Sequence, residues 1–414
     1  MTAKALILAA GAGTRMKSDK PKVVHEVLGK PLVRWVVDAA HDAGIEDVVT
    51  VLGHMSEKVA PFVENDTKIA IQTQQLGTGD AVNAGREAFT QADGSIAEGS
   101  LVVLSGDCPL ITPETIQALI AKREETGAAV VVLTMHMDDP FGYGRIVREG
   151  EAVVRIVEQK DANEQEAAIT ECNSGFYCFD APALFDALSR VSNDNAQGEY
   201  YLTDVLEICR NDGREVLALQ TADAEEAMGV NSRVQLAQAT HAMQHRINNR
   251  HMMAGVTMWD PESTFIGPDV EIAQDVELWP QTYLLGTTKV GSHSVIGPNT
   301  RLTDTQVGCG ARVDETVAIE AQIDDAAECG PRAYLRPGTH LCEGAKAGTH
   351  VEIKKSTIGK GSKVPHLSYI GDTTMGENVN IGAGSITCNY DGVNKNHPEI
   401  GDNVFVGSDT LMVA

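Results

Sequence analysis

Long apolar runs are absent from this sequence: nothing approaches the ~20 consecutive residues that a membrane-crossing helix needs, so no membrane partner is expected. The opening MTAKALILAAGAG superficially resembles a secretion signal. Its apolar core runs only from Ala5 to Ala10 before Gly11, Gly13, Arg15 and Lys17, which suits a strand entering a loop. The eight cysteines form no CxxC pair, and in a chain of 414 residues they read as reduced, mostly packed thiols of a cytoplasmic protein. Positive charge is scarce: a net charge of −25 argues against a nucleic-acid partner. GxxxxGK[ST] and GxGxxG are both missing after the first strand, which excludes a P-loop and a dinucleotide fold.

On this acidic background the basic clusters carry information. Arg15, Lys17, Lys20, Lys22 and Lys30 form one island; Arg332, Arg336, Lys346, Lys354, Lys355, Lys360 and Lys363 form another. Charge runs are usually solvated faces. Two positive islands on an acidic chain also suit two sites for small phosphorylated ligands. The length favours two or three domains over one.

Two periodicities divide the chain. Up to about residue 230, short apolar runs (5–10, 48–53, 101–107 and 128–135) alternate with helix-like segments (31–44, 56–63, 79–90 and 113–126). Such alternation predicts a Rossmann-like, doubly wound α/β domain over 1–230. Thr112-Pro113 marks a capped helix start. Residues 232–253 lack Gly and Pro and place Val234, Leu236, Ala237, Met243 and Ile247 on one stripe, so 231–254 reads as a connecting helical arm. From about 265 the period becomes six, with small or aliphatic residues at Val290, Ile296, Leu302, Val307, Val313, Ile319 and onward to Ile370. Hexads that persist for so long predict a parallel β-helix over 255–414. The period fails at 387–399, where a loop carrying Asn389, Tyr390, Asp391 and Lys395 must leave a corner.

In the first half, Leu8-Ala9-Ala10-Gly11-Ala12-Gly13-Thr14-Arg15-Met16 follows the first strand. Small residues there let backbone N–H groups approach a phosphate, and Arg15 adds a cation. Lys20-Pro21-Lys22 returns further charge to the same loop. With Gln72, Gln75-Leu76-Gly77-Thr78-Gly79, Ser105-Gly106-Asp107, Gly142-Tyr143-Gly144-Arg145, Val157-Glu158, Asn173-Ser174-Gly175 and Gly229-Val230-Asn231 in order, the half resembles the sugar-1-phosphate nucleotidylyltransferases. The resemblance implies that Leu8, Ala9, Ala10, Gly11 and Gly13 contact the nucleotide. It implies that Gln72, Gly77 and Thr78 read uracil, and that Gly144, Glu158 and Asn173 hold the sugar. Asp107 and Asn231 would bind Mg²⁺ through oxygen, with Arg15 and Lys22 neutralising phosphate charge.

In the second half, Leu335-Arg336-Pro337-Gly338, Glu352-Ile353-Lys354-Lys355, His366-Leu367-Ser368-Tyr369, Asn380-Ile381-Gly382-Ala383-Gly384 and Cys388-Asn389-Tyr390-Asp391-Gly392 stand in sequence order. His366 is a general-base candidate, being a single imidazole near the second basic island. A lone histidine is more often an ordinary surface residue. Both halves together resemble the bifunctional bacterial N-acetylglucosamine-1-phosphate uridylyltransferase/glucosamine-1-phosphate acetyltransferase family, along essentially the whole chain. That resemblance makes the β-helix left-handed and the assembly a homotrimer. It implies UTP, sugar phosphates and acetyl-CoA as small-molecule partners. Arg336, Lys354 and Lys395 would hold the sugar phosphate, with Tyr369, Asn380 and Asn389 orienting the sugar. Ala383, Asn389, Tyr390 and Ser408 would contact acetyl-CoA, with Tyr390 placed for the tetrahedral intermediate. The sequence stops at Ala414 in mid-coil, where the resemblance implies that family members continue with further coils and a tail. A rival reading keeps only uridylyl transfer and makes the β-helix a trimerisation module.

Overall fold

The computed structural model describes residues 3–11 and 13–413; Ala12, in the opening glycine loop, and Ala414 lie outside them. The chain forms two compact units, 1–242 and 243–414.

In the first unit the apolar runs become strands: β1 Lys4–Leu8, β2 Asp47–Leu52, β3 Lys68–Ile71, β4 Ser100–Ser105 and β5 Val130–His136. A hairpin, β6 Arg145–Glu149 and β7 Ala152–Val157, then β8 Glu171–Asp180 and β9 Val216–Gln220, complete the sheet. The order is β9-β5-β8-β4-β1-β2-β3, with β6 attached to β8 and β7 to β6. β1 is parallel to both β2 and β4, while β8 runs antiparallel to β4 and β5. Successive side chains feed opposite layers. Ile7, Val48, Val102 and Val131 join one core; Leu6, Val49, Val103 and Val132 join the other. A sheet buried on both faces requires this continuous apolar sequence. The chain runs out to either side of β1, leaving a crevice at the carboxyl ends of β1 and β4.

Helix α1, Leu32–Asp42, buries Leu32, Val33, Val36 and Val37. The segment expected at 56–63 is one α turn, Ser56–Val59, followed by a 3-10 turn. That expected at 79–90 begins at Thr78 and breaks after Ala84. There Gly85 lies so near β1 that a Cβ would sit 2.5 Å from Leu6 Cδ1. The helix Pro113–Thr126 starts as expected, with Thr112 Oγ1 accepting from the Thr115 amide at 3.3 Å.

The helix Arg233–Met253 corrects the expected stripe. Val234 is 69% exposed and Ala237 is exposed, whereas Ala239, Met243, Gln244, Ile247, Asn248 and His251 are buried. Burial here follows hydrogen bonding as much as hydropathy: Gln244 and Asn248 Nδ2/Nε2 donate to the carbonyls of Pro261 and Thr264. A buried amide with partners is as much at home as an aliphatic side chain.

The second unit is a left-handed parallel β-helix. Each coil gives one short strand to each of three all-parallel sheets, beginning with Thr257–Met258, Phe265–Ile266 and Glu271–Ile272. Inward residues such as Leu278, Leu284, Ile296, Leu302 and Val313 stack in fully buried columns. The hexad reading of Ile319 is wrong by one residue. Leu302 pairs with Ala318, which is buried, and Ile319 stands partly outside. The corner before it is a residue short, so the inward position falls at 318, one residue earlier than strict six-residue counting gives. Truncating Leu302 to Ala should therefore cost ~2–5 kcal/mol, whereas Ile319→Ala should lower the unfolding midpoint far less. Denaturant melts of both variants check this.

Candidate active sites

A cavity of about 370 Å³ opens at the carboxyl ends of β1 and β4. Leu8, Ala9, Ala10 and Gly11 line it from β1 and its loop, Ser105 and Asp107 from β4. Gln72, Gln75, Gly77 and Thr78 close it from the segment after β3, and Glu199 comes from a distant loop. Gly13 shapes the loop: its φ is +63°, and a Cβ would lie 2.5 Å from Lys22 Cβ. Lys22 Nζ donates to Asp107 Oδ2 and, at 3.0 Å, to Asn231 Oδ1. The Val230 amide donates to the Asp107 carbonyl at 2.9 Å, which brings the Asn231 loop to the end of β4. Next to it, burial pushes the Cys108 thiol well up, and the Asp107 carboxylate adds to this.

Arg15 is placed differently. It is exposed on the 3-10 turn Thr14–Met16 and does not line the cavity.

Gly144, Glu158 and Asn173 form a second cluster in this unit. A Cβ on Gly144 would lie 3.5 Å from Asn173 Cβ and 3.6 Å from Glu158 Oε1. The Asn173 amide donates to the Gly144 carbonyl at 2.9 Å, and Asn173 Nδ2 to the Tyr177 hydroxyl at 2.7 Å. The register of β8 shifts between Asn173 and Tyr177, so the strand bends at the cluster. Burial raises the Glu158 pKa; the Thr203 hydroxyl opposes this, while Asp204, Asp161 and Glu199 reinforce it.

In the β-helix the named residues fall into two rows. Lys363 pairs with Asn380 and Asn380 with Phe405 in adjacent coils; three residues on lie His366, Ala383 and Ser408, at one corner. His366 is exposed there, opposite Thr349. Arg336, Lys354 and Asn389 occupy the next corner. Arg336 Nη1 donates to Glu352 Oε1 at 2.8 Å. Lys354 Nζ lies 3.6 Å from Asp372 Oδ2, which also accepts from Asn389 Nδ2 at 2.6 Å. Tyr369 spans the strand between the rows, folded over Gly371, where a Cβ would meet its hydroxyl at 2.4 Å. Tyr390 and Lys395 sit apart in the exposed corner loop, bridged to each other through the backbone, with the Tyr390 hydroxyl donating to the Gly392 carbonyl at 2.7 Å.

Three contributors were not singled out by sequence. Asp80 accepts from Gln72 Nε2 at 2.8 Å, Glu199 lines the cavity, and Asp372 joins Lys354 to Asn389. Only contact geometry reveals them, because no sequence pattern marks a lone carboxylate of this kind.

Residues 5–207 match the MobA-like NTP transferase domain. The bifunctional protein GlmU of Syntrophomonas wolfei is 47% identical over 418 residues, covering 100% of this chain and 91% of that protein. Those of Exiguobacterium sibiricum and Streptomyces coelicolor are 49% and 50% identical over 411 and 417 residues, covering 99% and 100% of this chain and 90% and 86% of theirs. A solved UDP-glucose pyrophosphorylase complexed with UDP-glucose aligns with a TM-score of 0.47 and 22% identity, over 59% of this chain and 100% of its own. With identity near one half sustained through both units, the chain belongs to the family of bifunctional GlmU proteins.

Proposed function

We propose that the two sites perform consecutive steps to UDP-N-acetylglucosamine, a precursor for peptidoglycan and lipopolysaccharide. The β-helix transfers acetyl from acetyl-CoA to the amine of glucosamine-1-phosphate. The α/β unit then transfers uridylyl from UTP to N-acetylglucosamine-1-phosphate and releases pyrophosphate. The observation that carries this reading is the meeting of Lys22, Asp107 and Asn231 beside a glycine loop at a nucleotide-sized cavity. Family membership along both units favours two activities over uridylyl transfer alone.

Uridylyl transfer needs no protein nucleophile. The sugar phosphate oxygen attacks the α-phosphorus of UTP in line, and the bond to pyrophosphate breaks. Ala10, Gly11 and Gly13 let the backbone approach the phosphates. Lys22 and Arg15 offset their charge, and Glu158 and Asn173 hold the sugar where Gly144 leaves room. A divalent cation suits the site, because Asp107 and Asn231 already gather two hard oxygen donors around one cation, the Lys22 ammonium. Mg²⁺ held there would neutralise charge on the triphosphate.

In acetyl transfer the amine attacks the thioester carbonyl, a C–N bond forms, and coenzyme A departs as its C–S bond breaks. His366 takes the amine proton. Arg336, Lys354 and Lys395 hold the phosphate; Tyr369, Asn380 and Asn389 orient the sugar. Ala383, Asn389, Tyr390 and Ser408 receive acetyl-CoA, with Tyr390 near the developing oxyanion. A homotrimer, a cytoplasmic location and the lack of a nucleic-acid partner belong to the same proposal. No helix among the described residues is long and apolar enough to cross a membrane.

Asp107→Ala should lower pyrophosphate release from UTP and N-acetylglucosamine-1-phosphate by at least ~100-fold and leave acetyl transfer intact. His366→Ala should do the reverse, losing at least ~100-fold in coenzyme A release. Equal loss of both activities in either variant would refute separate sites. A third expectation concerns pH. The raised pKa means that Glu158 takes up its proton above the ordinary glutamate value of ~4.3. Protonation removes its charge and an acceptor, so KM for N-acetylglucosamine-1-phosphate should climb on acidification before ordinary carboxylates titrate. Glu158→Gln should flatten that rise, measured as KM against pH.

A further inference from the structure

We propose that Asp80 fixes which atom of Gln72 faces the base, and so makes the nucleotide site select uracil over cytosine. This rests on the nucleotidyl-transfer reading above. Gln72 lines the cavity beside Gly77 and Thr78 and is only 7% exposed. Its Nε2 donates to the Gly77 carbonyl at 3.2 Å and to Asp80 Oδ2 at 2.8 Å. A primary amide has two N–H donors, and both are thereby used. Turning the amide over would set Oε1 against a carbonyl and a carboxylate with no proton between them. A buried acceptor in that position is costly, so chemistry dictates the orientation.

What Gln72 has left for a ligand is Oε1, an acceptor. Uracil offers an N–H donor at N3 between two carbonyl oxygens. Cytosine has an unprotonated N3, whose lone pair would face Oε1. A fixed acceptor therefore pairs with the first base and repels the second, the kind of polar mismatch that discriminates strongly in a buried site. The neighbouring amide of Gln75 is anchored separately, its Nε2 donating to the Ala10 carbonyl at 2.7 Å. Without Asp80, Gln72 would keep only the longer bond to Gly77 and could rotate to present Nε2.

The backbone holds Asp80 in place for this task. Gly79 donates to the Tyr200 carbonyl at 2.8 Å, and Gly77 has φ +118° with Tyr200 O 2.6 Å from where a Cβ would stand. Asp80 is a positioning residue: it acts on the base through Gln72.

The test is Asp80→Asn, an isosteric change whose amide both donates and accepts and so satisfies either orientation of Gln72. kcat/KM is measured for UTP and for CTP with N-acetylglucosamine-1-phosphate. The UTP:CTP ratio should narrow at least roughly tenfold, mainly through KM, while acetyl transfer is unchanged. Asp80→Ala, measured alongside, should narrow it as well and serves if Asp80→Asn does not fold. An active variant that keeps the parent ratio, or a uniform loss with both nucleotides, overturns the role of Asp80. A parent that does not turn over UTP would instead overturn the nucleotidyl-transfer reading itself.

Discussion

The first site depends on how closely the glycine loop approaches Lys22. Gly13 adopts a left-handed conformation and leaves no room for a Cβ beside the Lys22 side chain. That approach delivers an ammonium to the end of β4, where Asp107 waits, and to Asn231 from the last loop before the long helix. Three segments distant in sequence thus meet on one cation. The opposite charges explain how a carboxylate can sit partly buried there. The same group of oxygens suits a metal ion, so the site stores its electrostatic complementarity in a contact made by its own chain.

The β-helix solves a different problem. Its proposed site residues must be held at repeated spacings, and the backbone ladder does this directly. Each coil advances by the separation of hydrogen-bonded strands, ~4.8 Å, so His366, Ala383 and Ser408 rise along one corner as Lys354, Asp372 and Asn389 cluster at another. Tyr369 crosses between them because Gly371 gives its ring a place to lie. Asp372 stands to Asn389 as Asp80 stands to Gln72: in each pair a carboxylate accepts from the amide nitrogen.

Much of the fold was legible because burial on both faces of a parallel sheet, and inside a triangular prism, demands continuous or hexad apolar patterns. The strands at 5–10, 48–53, 101–107 and 128–135 declare themselves in this way. The failures have physical causes. Val234 looks like part of a stripe but is exposed, while Gln244 and Asn248 are buried because carbonyls await them. Ile319 is displaced by a shortened corner that no hydropathy pattern marks. The break after Ala84 falls at Gly85, packed against Leu6 of β1, a contact that the local sequence does not reveal. For the sites, the glycine loop, Lys22, Asp107 and Asn231 were visible as motifs and do converge, whereas Arg15 does not line the cavity. Asp80 and Asp372 escaped notice because a carboxylate that holds a neighbour has no signature apart from the side chain it holds, and Glu199 because it reaches the cavity from a distant loop.

The corner loop at 389–398 shows where this architecture tolerates growth. It leaves after Cys388, and the next strand, Glu399–Ile400, resumes pairing with Thr374–Met375 as though nothing intervened. Extra residues at a corner are absorbed outside the prism, whereas one extra residue within a rung would turn every later side chain inside out. Added length at this corner can therefore reshape the surface beside Asn389 while the spacing of the rungs along the prism axis stays fixed.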